Sequence, residues 1–255
     1  MEHTTLVREA FDRDGWLVVR GVVAPAEVAA MHEMFTTIIP DVPYPRGSDG
    51  VIRELTGVAR AHPPLDAIAR DPRFGALAAA ALGVARIQFL QDSLLYKPAR
   101  DGGSVEWHQD HTYVGFLVPA RVIAIRIALV AERAGNGCMR AVTGSHRWGP
   151  VGANHSLRAD SVTSLAGELS ELQRAAVADA AVLELEPGDV SIHHCLTVHG
   201  SGPNPSADPR RTIILRMFDA DCRLDATRLP DHVRGYFPTD AAGGLATSAF
   251  PIVAG

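Results

Sequence analysis

Lysine is almost missing from this chain: Lys97 is its sole representative, so arginine supplies the other 23 of 24 basic residues. Against 29 acidic residues these leave a formal net charge of −5, which removes any electrostatic case for nucleic acid. No apolar run is long enough to cross a bilayer, and no charged leader precedes an apolar core. A cytoplasmic protein without membrane attachment is therefore expected. Cysteine is scarce as well. Cys138, Cys195 and Cys222 are odd in number and irregularly spaced, which excludes a closed disulfide framework, and they are poorly placed to complete a structural zinc shell. Reduced thiols suit the same compartment. Internal repeats and low-complexity linkers are absent too. What remains is 255 residues with 47% hydrophobic content, enough to bury a sizeable core as one domain spanning 1–255.

The early chain reads as helical. A short amphipathic stretch at 6–11 precedes a strand at 16–20, and Pro25 stands where helices commonly begin, ahead of 26–39. Pro40, Pro43 and Pro45 exclude regular helix or central strand, so 40–47 is a surface loop. Residues 64–82 predict one helix, stopped by Gly83. Strands then dominate, at 86–97, 105–108, 121–130 and 138–142. A loop-rich segment at 144–166 and a helix at 168–178 lead to strands at 182–185, 190–192 and 212–218. Helices in front of eight or so short strands predict a mainly β fold with flanking α-helices, a jelly roll with helical buttresses.

Two segments carry the chemistry. Trp107-His108-Gln109-Asp110 places a histidine and a carboxylate two residues apart, the spacing at which strand side chains share a face. His108 and Asp110 can then face one metal while Gln109 faces away; Tyr113, Val114 and Phe116 suit a strand or its end. Some ninety residues on, Pro187-Gly188-Asp189 signals a turn, apolar residues follow, and His199-Gly200-Ser201 leads into a Gly/Pro/Asn loop. Two imidazoles and one carboxylate, His108, Asp110 and His199, make the ligand set of a non-haem Fe(II) site with open positions. His193 and His194 crowd the same segment, so the bare pattern leaves open which histidine completes it. Arg210-Arg211 then open the β-branched run Thr212 to Phe218. An arginine entering an apolar strand needs a partner, which a dicarboxylate would supply.

In order and spacing these motifs resemble the phytanoyl-CoA dioxygenase family of Fe(II)- and 2-oxoglutarate-dependent oxygenases. The likeness begins at Phe11-Asp12-Arg13-Asp14-Gly15-Trp16, passes through Leu95-Tyr96-Lys97-Pro98, Gly135 to Met139 and Thr143 to His146, and ends near Phe218. It implies a double-stranded β-helix, cupin-like core, and it places the metal ligands on His108, Asp110 and His199, leaving His193 and His194 as packing or supporting histidines. By the same resemblance, Arg210 or its neighbour Arg211 takes the distal carboxylate of 2-oxoglutarate, Ser201 helps, and Gln91 stands near the co-substrate. The carboxylate at Asp110 argues against halogenation, because related halogenases carry a small residue there.

The implied reaction uses Fe(II), 2-oxoglutarate and O2 to hydroxylate a small molecule, with desaturation, epoxidation or rearrangement as branches. A natural-product substrate is expected first and an amino-acid-like one second; a long acyl-CoA is less favoured, since no basic cluster suits its phosphates. Tyr44, Arg46, Tyr113, Phe116, Trp148, Tyr236 and Phe237 are candidate substrate contacts. His111 and His146 read as structural or substrate-side residues; His62, His155 and His232 read as ordinary polar ones. Two rivals remain: a cupin-like metalloenzyme that does without 2-oxoglutarate, and a non-catalytic ligand-binding barrel.

Overall fold

Alternation along the strands decides which side chains meet in the interior. The computed structural model describes residues 2–41, 52–100, 102–151, 165, 169–229 and 231–255. Its first half holds α1 (Glu2–Asp14), β1 (Trp16–Val19), α2 (Pro25–Ile38), β2 (Arg53–Thr56), α3 (Pro63–Ala69), α4 (Pro72–Leu82), β3 (Ile87–Lys97), β4 (Val105–His108), α5 (His111–Val114), β5 (Leu117–Val118) and β6 (Val122–Ala128). The second half adds β7 (Met139–Ala141), α6 (Glu171–Ala178), β8 (Ala181–Val182), β9 (Val190–His194), β10 (His199–Ser201), β11 (Arg210–Asp219), β12 (Arg223–Leu224), α7 (Asp231–Arg234) and β13 (Ile252–Ala254).

A seven-stranded sheet runs β1-β9-β6-β11-β3-β13, with β2 also on β3; a four-stranded sheet runs β4-β10-β7-β8. Ile123, Ile125 and Ile127 of β6, Ile213, Leu215 and Met217 of β11, and Val190 and Ile192 of β9 pack in one core with Phe11, Met31, Phe35, Phe74 and Ala78 of the helices. The alternate residues of the same strands, Arg126, Thr212, Ile214, Arg216, Ser191 and His193, must point to the other face, toward the smaller sheet. All but Ile214 are polar yet buried, so that interior is a site rather than a core.

The helix expected over 64–82 is two helices. Pro72 has no N–H to continue α3, and Asp71 caps α4 by accepting from Arg73 N at 2.9 Å. Gly83 ends α4 with φ of 63°, as its position predicted. A second correction concerns 109–116. The chain leaves the sheet after His108, and Asp110 is already in helical conformation (φ −58°, ψ −24°) as it enters α5, where strand was expected. The strand expected at 182–185 shrinks to Ala181–Val182.

Candidate metal centre

The two histidines are brought together by strand pairing. β10 lies antiparallel to β4 with His199 opposite His108, and their ring centroids are 4.2 Å apart. Asp110 reaches them from the turn after β4. One ligand atom of each of the three lies within 4.8 Å of the others, with Asp110 Oδ1 at 3.8 Å from His108 Nε2 and 3.9 Å from His199 Nε2. Asp110 and His199 are buried and His108 is half-buried.

Neighbouring groups prepare each donor. His108 Nδ1 lies 2.8 Å from Glu106 O and His199 Nδ1 lies 2.9 Å from Thr197 O. A carbonyl can only accept, so both protons sit on Nδ1 and both Nε2 lone pairs point inward. Burial lowers the pKa of His199 well below its ordinary value, keeping the ring neutral as a metal ligand must be. Burial alone would raise that of Asp110. Arg216 and His193 outweigh it and hold the carboxyl far below the usual range. Arg216 Nε stands 3.5 Å and His193 Nε2 3.3 Å from Oδ2 as charge contacts, and Oδ1 is the oxygen nearer to both imidazoles. Two neutral imidazoles and an ionised carboxylate fit Fe(II), and three protein donors leave coordination positions open.

A small cavity of about 70 Å³ continues from the triad past Met139, Ser201 and Ile214 to Arg126 and Arg210. The Arg210 guanidinium is 1% exposed; it donates to Gly137 O, and its Nε has no partner among the described residues. Arg211 sits on the opposite face of β11, paired with Asp41 and lying over the Tyr96 ring at 5.5 Å. The fully buried Lys97, opposite Arg210 in register, donates to Ser201 Oγ at 2.7 Å and Gly202 O at 2.5 Å. Burial, then the charges of Arg210 and Arg126, push its ammonium down to about 6. Burial and Arg126 likewise draw Arg210 down to about 10, with Glu132 opposing. Glu132 is fully buried, 3.3 Å from Arg126, and accepts from Thr212 Oγ1 at 2.6 Å. One buried carboxylate thus faces three basic side chains, and the cavity calls for an anion.

The remaining expected residues are dispersed. Gln91 borders a wider cavity of about 560 Å³ on the His108 side and not the small one; Tyr113, Phe116, Tyr236 and Phe237 border it too. Trp148 packs in a separate apolar cluster with Val142 and Val198. Gln109 faces away from the triad and donates to Leu196 O at 2.7 Å and Gly149 O at 3.0 Å. His194 accepts from Leu196 N at 3.1 Å, and His146 contacts Asp12 O at 3.2 Å. Tyr44, Arg46 and His155 lie outside the described residues. Arg216, His193 and Lys97 had no part assigned near the triad beyond a supporting histidine. The signal was present, since each is a polar residue inside an apolar strand.

Comparison with known proteins agrees with this geometry. Residues 11–212 match the sequence profile of the family described as phytanoyl-CoA dioxygenase. The ectoine dioxygenase of Sphingopyxis alaskensis is 26% identical over 244 residues, covering 85% of this chain and 76% of that protein. Among solved structures, the non-heme alpha-ketoglutarate-dependent epimerase SnoN from nogalamycin biosynthesis superposes with a TM-score of 0.76 at 22% identity, covering 99% of this chain and 98% of SnoN. The carbocyclase SnoK from the same biosynthesis gives 0.75 at 21% identity, over 97% and 95%. These likenesses establish the jelly-roll fold expected from the sequence.

Proposed function

The chain belongs to the phytanoyl-CoA dioxygenase family, and from that premise we infer that it is a non-haem iron, 2-oxoglutarate-dependent dioxygenase whose metal is held by His108, Asp110 and His199. One observation carries the assignment: Oδ1 of Asp110 and the two Nε2 atoms converge while Oδ2 is tied to His193 and Arg216. When bound, the metal and co-substrate supply activation of dioxygen coupled to oxidative decarboxylation of 2-oxoglutarate.

The protein's own part is positioning and exclusion of water. Arg210 takes the distal carboxylate of 2-oxoglutarate: Arg126 is paired with Glu132 and Arg216 with Asp110, whereas the buried Arg210 guanidinium has no ion pair among the described residues and an unbonded Nε. Ser201 and Lys97 join it from β10 and β3, and Arg126 with Glu132 holds the pocket's shape. A cupin-like enzyme that does without 2-oxoglutarate would leave the buried Arg210 guanidinium without a function.

The substrate enters the wider cavity beside His108 and is a small molecule. Its default outcome is hydroxylation, in the biosynthesis of a natural product. Three buried free thiols and a ferrous ion suit a reducing compartment, the cytoplasm, and no helix among the described residues is long and apolar enough to cross a membrane.

Anaerobic titration of Fe(II)-loaded protein with 2-oxoglutarate, followed by the weak visible charge-transfer band, tests the reading. The band is expected in the wild type and absent in His108→Ala, Asp110→Ala and His199→Ala. Full activity in any one of these variants overturns the ligand assignment.

A further inference from the structure

The wider cavity has a chemistry of its own. Glu54, Val105, His108 and Arg216 line both it and the small cavity, so whatever occupies it abuts the metal ligands from the His108 side. One wall is apolar and aromatic, built by Tyr113 and Phe116 at and after α5 and by Leu229, Val233 and Phe237 of the C-terminal segment. Phe116 and Phe237 meet at 4.7 Å between ring centroids, and the Tyr113 ring stands edge-on to His108 at 6.2 Å. At about 560 Å³ the space is in the range that receives drug-sized ligands, and a ring system is what packs against such a wall.

The polar part of the lining includes Glu54 and Thr56 of β2 and Gln91 of the neighbouring β3. Its carboxylate, that of Glu54, is half-exposed and only loosely paired. Among the described residues, the guanidinium bordering the cavity is that of Arg216, which donates to Ser93 Oγ at 2.9 Å and stands 3.5 Å from Asp110. It stands 3.9 Å from Glu54, beyond hydrogen-bond reach. Glu54 thus keeps acceptor capacity for a ligand, and among the described lining residues no guanidinium or ammonium other than that of Arg216 borders the cavity.

We infer that the substrate is a ring compound without an anionic group, which lays a hydrogen-bond-donating edge, a hydroxyl or an ammonium, on the Glu54 carboxylate. The inference rests on the dioxygenase reading and deepens it. Glu54 is then a specificity-determining residue, and carboxylate- or phosphate-bearing substrates are rejected by it.

Three probes that share one ring and differ in charge test this: 2-aminotetralin, 2-tetralol and tetralin-2-carboxylate. Each is titrated calorimetrically into the Fe(II)- and 2-oxoglutarate-loaded enzyme under nitrogen. The amine and the alcohol are expected to bind roughly tenfold or more tightly than the carboxylate, the worth of one charge-assisted hydrogen bond. In Glu54→Gln the amine-to-carboxylate ratio should fall to within about threefold. Equal or tighter binding of the carboxylate, a ratio untouched by Glu54→Gln, or no binding of any probe at millimolar concentration would each overturn the inference. The charge-transfer band separates the two levels: if it forms in the wild type, such a result removes the substrate class alone, and if it never forms, the dioxygenase reading falls and takes this inference with it.

Discussion

Replacing Arg210 with methionine should have opposite effects on the empty protein and on co-substrate binding. The guanidinium is fully desolvated, lies near Lys97 and Arg126, and finds only Gly137 O and the more distant charge of Glu132. Held at about 10 against an ordinary value of 12.5, it costs the folded state roughly 3 kcal/mol at neutral pH. Methionine fills most of the same volume and removes that cost. It also leaves Gly137 O without its donor, a loss of about 1–3 kcal/mol. The two nearly cancel, so the melting temperature without 2-oxoglutarate should stay within about 5 °C of wild type. Binding behaves differently. A buried, charge-assisted partner of a carboxylate is worth about 2–5 kcal/mol, so affinity for 2-oxoglutarate should fall by roughly 30- to 4,000-fold. Thermal melts with Fe(II) under nitrogen, with and without millimolar 2-oxoglutarate, read both effects at once, because a ligand stabilises only the state it binds. Wild type should shift upward and Arg210→Met should not. A variant that binds 2-oxoglutarate within threefold of wild type would refute the reasoning. So would one that melts more than 10 °C lower without it.

Lys97→Met should abolish a pH dependence of stability. With the folded ammonium at about 6 and the unfolded one near 10.5, the unfolded chain binds more protons between those values. Wild-type stability then rises with pH through that window, and urea unfolding at pH 6.5 and 8.5 should differ by roughly 2–3 kcal/mol more in wild type than in the variant. Arg126→Met strands the fully buried Glu132 and should cost about 3–5 kcal/mol, whereas Arg126→Met with Glu132→Leu should recover most of it; equal losses in the single and double variants would refute the pairing. Removing the metal from the loaded enzyme with a chelator should lower the melting temperature of wild type and leave that of His199→Ala unmoved, since only the former has bound metal to lose.

Much of the site was legible because strand parity is rigid. Within β9, Val190 and Ile192 are the apolar side, so Ser191 and His193 had to face the interior and His194 the exterior. In β11 the lone Arg216 amid apolar residues marks the even positions as the polar face, and Arg210 shares its parity while Arg211 does not. That pattern was available to decide between the two arginines. Other features could not be read this way. Parity arguments assume the strand continues, and after His108 it does not; Asp110 reaches the histidines through a helical turn instead. The break between α3 and α4 was written in Asp71-Pro72 yet hidden by the apolar run around it. Strands of two or three residues such as β8 and β13 leave almost no local signal, since pairing partners rather than their own residues create them.

Because Asp110 stands on that turn and its side chain neither caps α5 nor joins the ladder, the anionic ligand is detachable from the architecture. A smaller residue there would disturb no strand pairing. It would expose Arg216 and His193, still buried, to a gap beside the proposed metal position that a diffusible anion could fill. The scaffold thus permits its reactivity to drift by one side chain while every hydrogen bond between β4 and β10 stays in place.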